Sequence, residues 1–330
     1  MAFIPEFACG WEMGYVPKRP GKFVVDSANV NCVTGGHTGT YCLELNNFFR
    51  SPYFYVIRDT PSAQVDVAVW ARHIFDDGDA RIHVLVDGST RVELRYNAGR
   101  HWDAYVSGSP VATGGVILVN NTWQHIQLRV TIAAEGSVQT RINGMADIDY
   151  SGNTGAGSIN QVGMMINSTG PEASALYCDD FVFGEGGWPG DLRIDPLIIN
   201  ADTATKEWTP STGSDNYAVV DERPASTSDY VSTTADARDL YELAAWDDDG
   251  GSKTPIGLTV WAYALKMDAS FDDKLRLLQS DGANEAQSGY LSFLTPADCH
   301  FFFRVTDPAG GSWSKADLDD LKIGIEADMA

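Results

Sequence analysis

The sequence predicts an all-β chain built from two β-sandwich or jelly-roll domains in series, residues 1–187 and 188–330. Three observations lead there. Apolar and polar residues alternate with a period of two through many short segments, the pattern of half-buried strands. Gly, Asn and Asp close most of these segments, and almost none carries the spacing of an amphipathic helix. At 330 residues the chain also exceeds what one hydrophobic core usually serves.

Taken in order, VDVAVWARH (65–73) sets Val65, Val67, Val69 and Ala71 on one face and Asp66, Ala68, Trp70 and Arg72 on the other. RIHVLVDG, TRVELRYNAG, HWDAYVSG and SPVATGGVILV repeat the pattern at short intervals, so the whole run is expected to form a meandering antiparallel sheet. NNTWQHIQLRVTI supplies Trp123, Ile126, Leu128, Val130 and Ile132 as apolar positions, and Asn143-Gly144 is the strongest hairpin signal in the chain. ALYCDDFVFGEGG is the closing strand of the first domain, and GGWPGD, near residues 186–191, marks the boundary.

The second domain reopens with DLRIDPLIINAD and passes through polar loops to NYAVVDERP. DLYELAAW, IGLTVWAYALKMD, KLRLLQS, GYLSFLT and CHFFFRVTDP then read as strands, several broad enough to be buried on both faces. Ser314 and Asp317 have capping-box spacing, with Asp in place of Glu or Gln, and predict one short helix before the last strand, LKIGIEA.

A net charge of −22 with scattered Lys and Arg repels phosphate backbones, which sets nucleic acid and anionic membrane surfaces aside. No uncharged apolar run of about 18 residues exists for a membrane span. The start, MAFIPEFACGWEMG, lacks the basic and apolar regions of a signal peptide, so folding in the cytoplasm is expected. Cys9, Cys32, Cys42, Cys178 and Cys299 match no metal-site spacing. Buried free thiols are the plain expectation, and disulfides formed after assembly, within the first domain or between subunits, are the sharper one.

No catalytic, cofactor-binding or metal-ligating set is expected, and the chain is read as not an enzyme. The acidic clusters Asp76-Asp77-Gly78-Asp79 and Asp247-Asp248-Asp249-Gly250 lack the strand spacing of a glycosidase carboxylate pair and the full pattern of a calcium loop. Six histidines form no metal-binding helix motif, although His73 and His83 are placed to approach each other across adjacent strands. No Gly-x-Ser-x-Gly elbow or phosphate-binding loop is present. Among nine tryptophans, Trp102, Trp188 and Trp246 lie in polar or loop contexts and are the candidate surface aromatics for a sugar or protein partner. Trp70, Trp123 and Trp261 are expected in the core or between sheets.

The first domain resembles the concanavalin A-like, laminin G-like sandwich family. The resemblance rests on Gly39-Thr40-Tyr41-Cys42-Leu43-Glu44-Leu45, Thr122-Trp123-Gln124-His125-Ile126, Ile142-Asn143-Gly144 and Tyr177-Cys178-Asp179-Asp180-Phe181. The second half resembles the carboxy-terminal domain of tailed-bacteriophage structural proteins. Here the residues are Gly190-Asp191-Leu192-Arg193-Ile194, the stretch from Trp208 to Tyr217, Val220-Asp221-Glu222, Asp229-Tyr230-Val231, Asp239-Leu240-Tyr241 and the stretch from Trp313 to Asp319. The resemblance implies a virion structural protein at the neck, collar, tail or head surface. Such a protein would be homo-oligomeric, bound to other virion proteins and without a cofactor. The alternative is a lectin-like adhesion protein that binds bacterial surface polysaccharide, and a third reading is a polysaccharide-degrading enzyme.

Overall fold

The computed structural model describes residues 2–17, 22–25, 29–46, 51–74, 79–86, 88–167, 174–265, 274–292 and 297–329. The chain divides into two compact units, one of Met1–Glu12 and Lys18–Asp195, the other of Met13–Pro17 and Pro196–Ala330. The strands of both pair antiparallel and almost no helix is present among the described residues, so the all-β fold class holds.

The first unit contains β1 (Ile4–Cys9), β2 (Phe23–Val25), β3 (Val30–Thr34), β4 (Tyr41–Asn46), β5 (Tyr53–Ser62), β6 (Gln64–Ile74), β7 (Asp79–Val86) and β8 (Ser89–Tyr96). It continues with β9 (Trp102–Val106), β10 (Ser109–Thr113), β11 (Gln124–Thr131), β12 (Gly136–Ile142), β13 (Met145–Gly152), β14 (Ile159–Asn167) and β15 (Ala175–Glu185). One sheet has eight strands in the order β13-β12-β11-β6-β15-β4-β3, with β1 added along β15; the other has seven, β10-β9-β8-β7-β14-β5-β2.

Alternation makes each sheet two-faced, and the apolar faces meet. On the seven-stranded sheet, Phe54, Met164, Ile82, Leu94 and Ala104 stand opposite one another in a single cross-strand row. Val56, Val162, Val84, Val92 and Val106 form the next row on that face, and all ten residues are buried. Val69, Ile126 and Ile142, and Val65, Val130 and Val138, are the matching rows of the eight-stranded sheet. Each fully buried side chain of this size contributes about 1.5–3 kcal/mol. Aromatic edges lock the two layers together, Phe7 of β1 against Phe23 of β2 at 6.0 Å and Trp11 against Phe54 at 4.9 Å.

The four segments after residue 78 form the expected meander, β7 to β10, but β6 lies in the other sheet. Its valine face pairs with β11 and β15 instead, so the chain changes layers between β6 and β7. Asn143 and Gly144 both take positive φ, 51° and 80°, and turn the β12–β13 hairpin as their side chains predict. The closing strand β15 is an interior strand, flanked by β6 and by β4 and β1. Arg58, whose side chain is fully buried, ties the start of the unit to its end: it donates to Glu6 of β1 and, at 2.6 Å, to Glu185 of β15.

The division after Asp195 lies beyond the boundary expected at residue 187, and hydrogen bonds explain why. Gly187 N–H donates to Asp66, Gly190 N–H to Gln127 and Ile194 N–H to Asp180, all on the outward face of the eight-stranded sheet. Residues 187–194 are a strap of the first unit, not the first strand of the second.

The second unit contains β16 (Ile199–Lys206), β17 (Thr209–Pro210), β18 (Val231–Ser232), β19 (Ala237–Leu243), β20 (Leu258–Ala264), β21 (Lys274–Ser280), β22 (Glu285–Gln287), β23 (Leu291–Ser292), β24 (Asp298–Arg304) and β25 (Lys322–Asp328). A six-stranded sheet runs β16-β19-β25-β21-β22 with β23 on β21, and β20 pairs with β24. Val260 of β20 packs with Leu275, Leu277 and Leu291, which joins the two sheets. The segment NYAVVDERP holds only a 3-10 turn, Tyr217–Val219. The short helix forms where expected, as α1 (Lys315–Asp319), with a reciprocal capping box between Ser314 and Asp317.

Candidate functional site

The polar faces of the two sheets differ in what occupies them. On the eight-stranded sheet, Asp66, Gln127 and Asp180 accept from the strap. Asp179 there accepts the N–H groups of His37 and Thr38, and burial with the neighbouring Asp180 charge pushes it up to about 8. Much of this face is therefore spent on holding loops.

The outward face of the seven-stranded sheet is different. Directly opposed residues share a face, so the register sets Tyr55, Gly163, His83, Glu93 and Tyr105 in one row across β5, β14, β7, β8 and β9. Tyr53, Met165, Arg81, Arg95 and Asp103 form the adjoining row. Five strands at about 4.8 Å spacing make this a band about 19 Å wide.

Gly163 makes the centre of the band. A Cβ at that position would stand 2.1 Å from Phe54 O and 2.4 Å from Tyr55 Cδ1. Without one, the Tyr55 ring reaches past β14 and its Oη lies 2.9 Å from His83 Nδ1. Tyr53 stacks beside Tyr55 at 5.3 Å. Glu93 is held by Arg81 at 3.1 Å and by a shorter bond from Arg95, whose guanidinium also lies 3.8 Å from the Tyr105 ring centroid. His83 Nε2 makes no hydrogen bond, and Glu93 Oε2 is 3.9 Å from it.

Burial sets the charge states. It lowers His83 to about 4, outweighing Glu93, while Arg81 and Arg95 push in the same direction as burial. Burial and Glu93 raise Tyr55 above the usual phenol range. Burial also pushes Glu93 up, but the Arg95 hydrogen bond and the charges of His83, Arg95 and Arg81 outweigh it and hold the carboxyl below its ordinary value. At neutral pH the band therefore contains a neutral imidazole hydrogen-bonded to a neutral phenol, beside a carboxylate clasped by two guanidinium groups. The Tyr55–His83 bond joins one hydroxyl to one imidazole nitrogen, an arrangement through which a proton can pass.

A pH prediction follows from the sign of the His83 shift. Its folded value lies below 6.5, so the unfolded chain takes up the proton first as pH falls. The stability contributed by neutral His83 is complete above about pH 6.5 and is lost on descent towards pH 4. Wild-type protein is expected to lose up to about 3 kcal/mol more over that interval than His83→Gln. Urea titrations of both proteins at the two ends measure the difference, and parallel losses would sink the assignment.

Of the three tryptophans expected at the surface, Trp102 and Trp246 are covered and Trp188 is half-buried. Trp102 is 2% exposed: it opens β9 on the inner face, with Asp103 and Tyr105 outward. Trp246 is 9% exposed and packs with Leu243, Trp313, Leu318 and Leu321, despite the acidic run that follows it. Trp188, in the strap, is half-buried under Arg129 at 4.7 Å and Arg141 at 4.4 Å. Conversely Trp70 and Trp123, expected inside, are half-buried with the polar residues of the eight-stranded sheet: Trp70 stacks on His37 at 3.7 Å, and Trp123 lies against Arg72. Trp261 is half-buried against Phe301.

His73 and His83 do not meet, because they lie on different sheets, His73 facing inward and His83 outward. None of the five cysteines is in a disulfide; Cys9, Cys42, Cys178 and Cys299 are buried and Cys32 is partly exposed. Asp76, Asp77 and Gly78 lie outside the described residues. In the second acidic cluster, Asp247 accepts from Asp249 N–H and Asp249 pairs with Lys253 at 3.1 Å. Among the described residues no group of three or more His, Cys, Asp or Glu is disposed to hold a metal ion. No helix among them is long and apolar enough to cross a membrane.

No family model and no curated protein matches the sequence. Solved structures do match in shape. A protein of unknown function with a galectin-like fold from Bacillus subtilis is 12% identical, with 56% of this chain and 98% of that one covered and a TM-score of 0.40. An endo-β-1,4-glucuronan lyase from the fungus Trichoderma reesei is 11% identical, covering 55% and 96%, at 0.42. A sialidase is 9% identical at 0.39, over 52% of this chain, which spans only 18% of the sialidase. The likeness is one of sandwich fold alone. The expectation that the chain is not an enzyme is corrected here, since proteins named as a sialidase and a lyase are among the structures it resembles.

Proposed function

We propose that the first unit binds carbohydrate and that the outward face of its seven-stranded sheet is the binding surface. The observation that carries this reading is the pair of adjoining cross-strand rows, which brings Tyr53, Tyr55 and Tyr105 together with His83, Glu93, Arg81 and Arg95. Sugars present apolar ring faces that pack on aromatic groups and hydroxyls that both donate and accept hydrogen bonds. The half-buried Tyr53, Tyr105, Arg81 and Arg95 offer both kinds of contact above a buried floor of Tyr55, His83 and Glu93, and the charged groups are already paired with one another, which suits a hydroxyl-rich ligand.

Titration against a panel of bacterial surface polysaccharides tests the reading. Saturable binding is expected, weakened roughly tenfold in Tyr105→Ala and in Tyr53→Ala, in line with the loss of one aromatic contact each. A panel without saturable binding, or variants that bind as the wild type does, would overturn it.

We propose further that the chain is part of the particle of a tailed phage, made in the host cytoplasm and presenting this face to the host glycan. The residues similar to phage structural proteins support it. Light scattering with and without reductant is expected to show a symmetric oligomer; a monomer that binds no virion protein would count against the placement.

A further inference from the structure

On the eight-stranded sheet a second row stands clear of the strap contacts. Arg72 of β6 lies opposite Tyr177 of β15, Tyr177 opposite Glu44 of β4, and Glu44 opposite Asn31 of β3. Trp123, just ahead of β11, flanks Arg72 on its other side. The Arg72 guanidinium carbon is 5.1 Å from the Trp123 ring centroid and 4.4 Å from that of Tyr177, so the two rings grip it between them.

What this guanidinium lacks is an acceptor. In a chain of 45 acidic and 23 basic residues, Arg58, Arg81, Arg95 and Arg129 each meet a carboxylate. Arg72 meets none among the described residues, and its Nε is buried without a hydrogen-bond partner. A buried donor left without an acceptor is penalised. Glu44 does not serve: it is two strands away, about 10 Å across the sheet, and accepts instead from the Tyr177 hydroxyl at 3.0 Å. Ring stacking occupies the faces of a guanidinium and leaves its N–H groups, which lie in the plane, free to take two oxygens at once. That fork matches a carboxylate.

We propose that Arg72 is the carboxylate-binding centre of a second ligand site, one that takes an acidic sugar. The uronate carboxylate sits on the Arg72 fork, the Trp123 and Tyr177 rims border its pyranose ring, and Glu44 and Asn31 receive hydroxyls farther along the row. This site is on the opposite sheet from the band above and stands independently of it.

The experiment is titration of the full chain with a short oligogalacturonate and with its methyl ester, followed by calorimetry and by the Trp123 indole N–H resonance. The acid is expected to bind and to shift that resonance, with the ester at least about tenfold weaker. Arg72→Met, which keeps the apolar stem between the rings, is expected to lose about tenfold or more in affinity for the acid. Arg72→Lys, charged but without the fork, falls between the two. No binding of the acid, equal affinity for acid and ester, an unmoved Trp123 signal, or a folded Arg72→Met that binds like wild type would each overturn the proposal. Should Arg72→Met fail to fold, the acid-versus-ester comparison in wild-type protein decides alone.

Discussion

Gly163→Ala is expected to destabilise the first unit by about 3 kcal/mol and to lower its melting temperature by about 10 °C. Alanine is ordinarily no worse than glycine inside a strand, because glycine has more conformational entropy to lose. Here the sign reverses. The added methyl would stand 2.1 Å from a backbone carbonyl oxygen and 2.4 Å from the Tyr55 ring, and the first of these contacts has no flexible end to yield. The β5–β14 pairing must part locally or the Tyr55 ring must lift off β14, and lifting it breaks the 2.9 Å contact with His83. Calorimetry reads the first consequence and glycan titration the second, since the band loses its central ring. A variant within about 0.5 kcal/mol of wild type would show that Tyr55 has another resting place and that the band does not depend on Gly163.

Asp239→Ala should cost the second unit about 4 kcal/mol. Asp239 is 1% exposed, and four donors converge on it. Its Oδ1 accepts the N–H groups of Glu207 and Trp208 at 2.7 and 3.0 Å, and its Oδ2 accepts from Asn216 Nδ2 at 2.6 Å and Tyr241 Oη at 2.9 Å. Burial and the Asp239 charge both hold the Tyr241 hydroxyl in its protonated, donating form. Alanine leaves these donors without their acceptor, and each buried orphan is penalised. Asp239→Asn keeps one acceptor oxygen but turns an N–H toward donors, so an intermediate loss is expected. Urea unfolding followed by tryptophan fluorescence measures both variants. A loss below about 1 kcal/mol for the alanine variant would mean that water or a neighbour replaces the carboxylate.

Several elements were legible in the residues alone because their causes are local. The valine face of β6, the Asn143-Gly144 hairpin and the Ser314–Asp317 capping box each depend on neighbours within a few positions, and each formed as expected. The candidate site was half legible. RIHVLV, RVELRY and WDAYV state by alternation alone that His83 faces away from Ile82 and Val84, Glu93 and Arg95 away from Val92 and Leu94, and Tyr105 away from Ala104 and Val106. They do not state that these residues stand opposite one another, and Tyr55 reaches His83 only across a strand some eighty positions farther along the chain.

The tryptophans show the same divide. Trp246 precedes three aspartates and looks exposed, yet its burial comes from Trp313, Leu318 and Leu321, far off in sequence. Trp102 follows a Gly-containing turn and looks like a loop residue, but β9 begins on it and directs it inward. The strap misled for a related reason. Its apolar residues suggest a strand, while its N–H groups are claimed by Asp66, Gln127 and Asp180, which belong to other strands.

The amino-acid sequence by itself determined the all-β class, most strand positions, the turns and the one short helix, since periodicity, turn chemistry and capping act over a few residues. Only the tertiary structure decided which sheet each strand joined, which aromatic rings were covered, and which charged groups came to face one another. Those outcomes depend on register between strands distant in the chain, where a shift of one residue would turn every side chain to the other face.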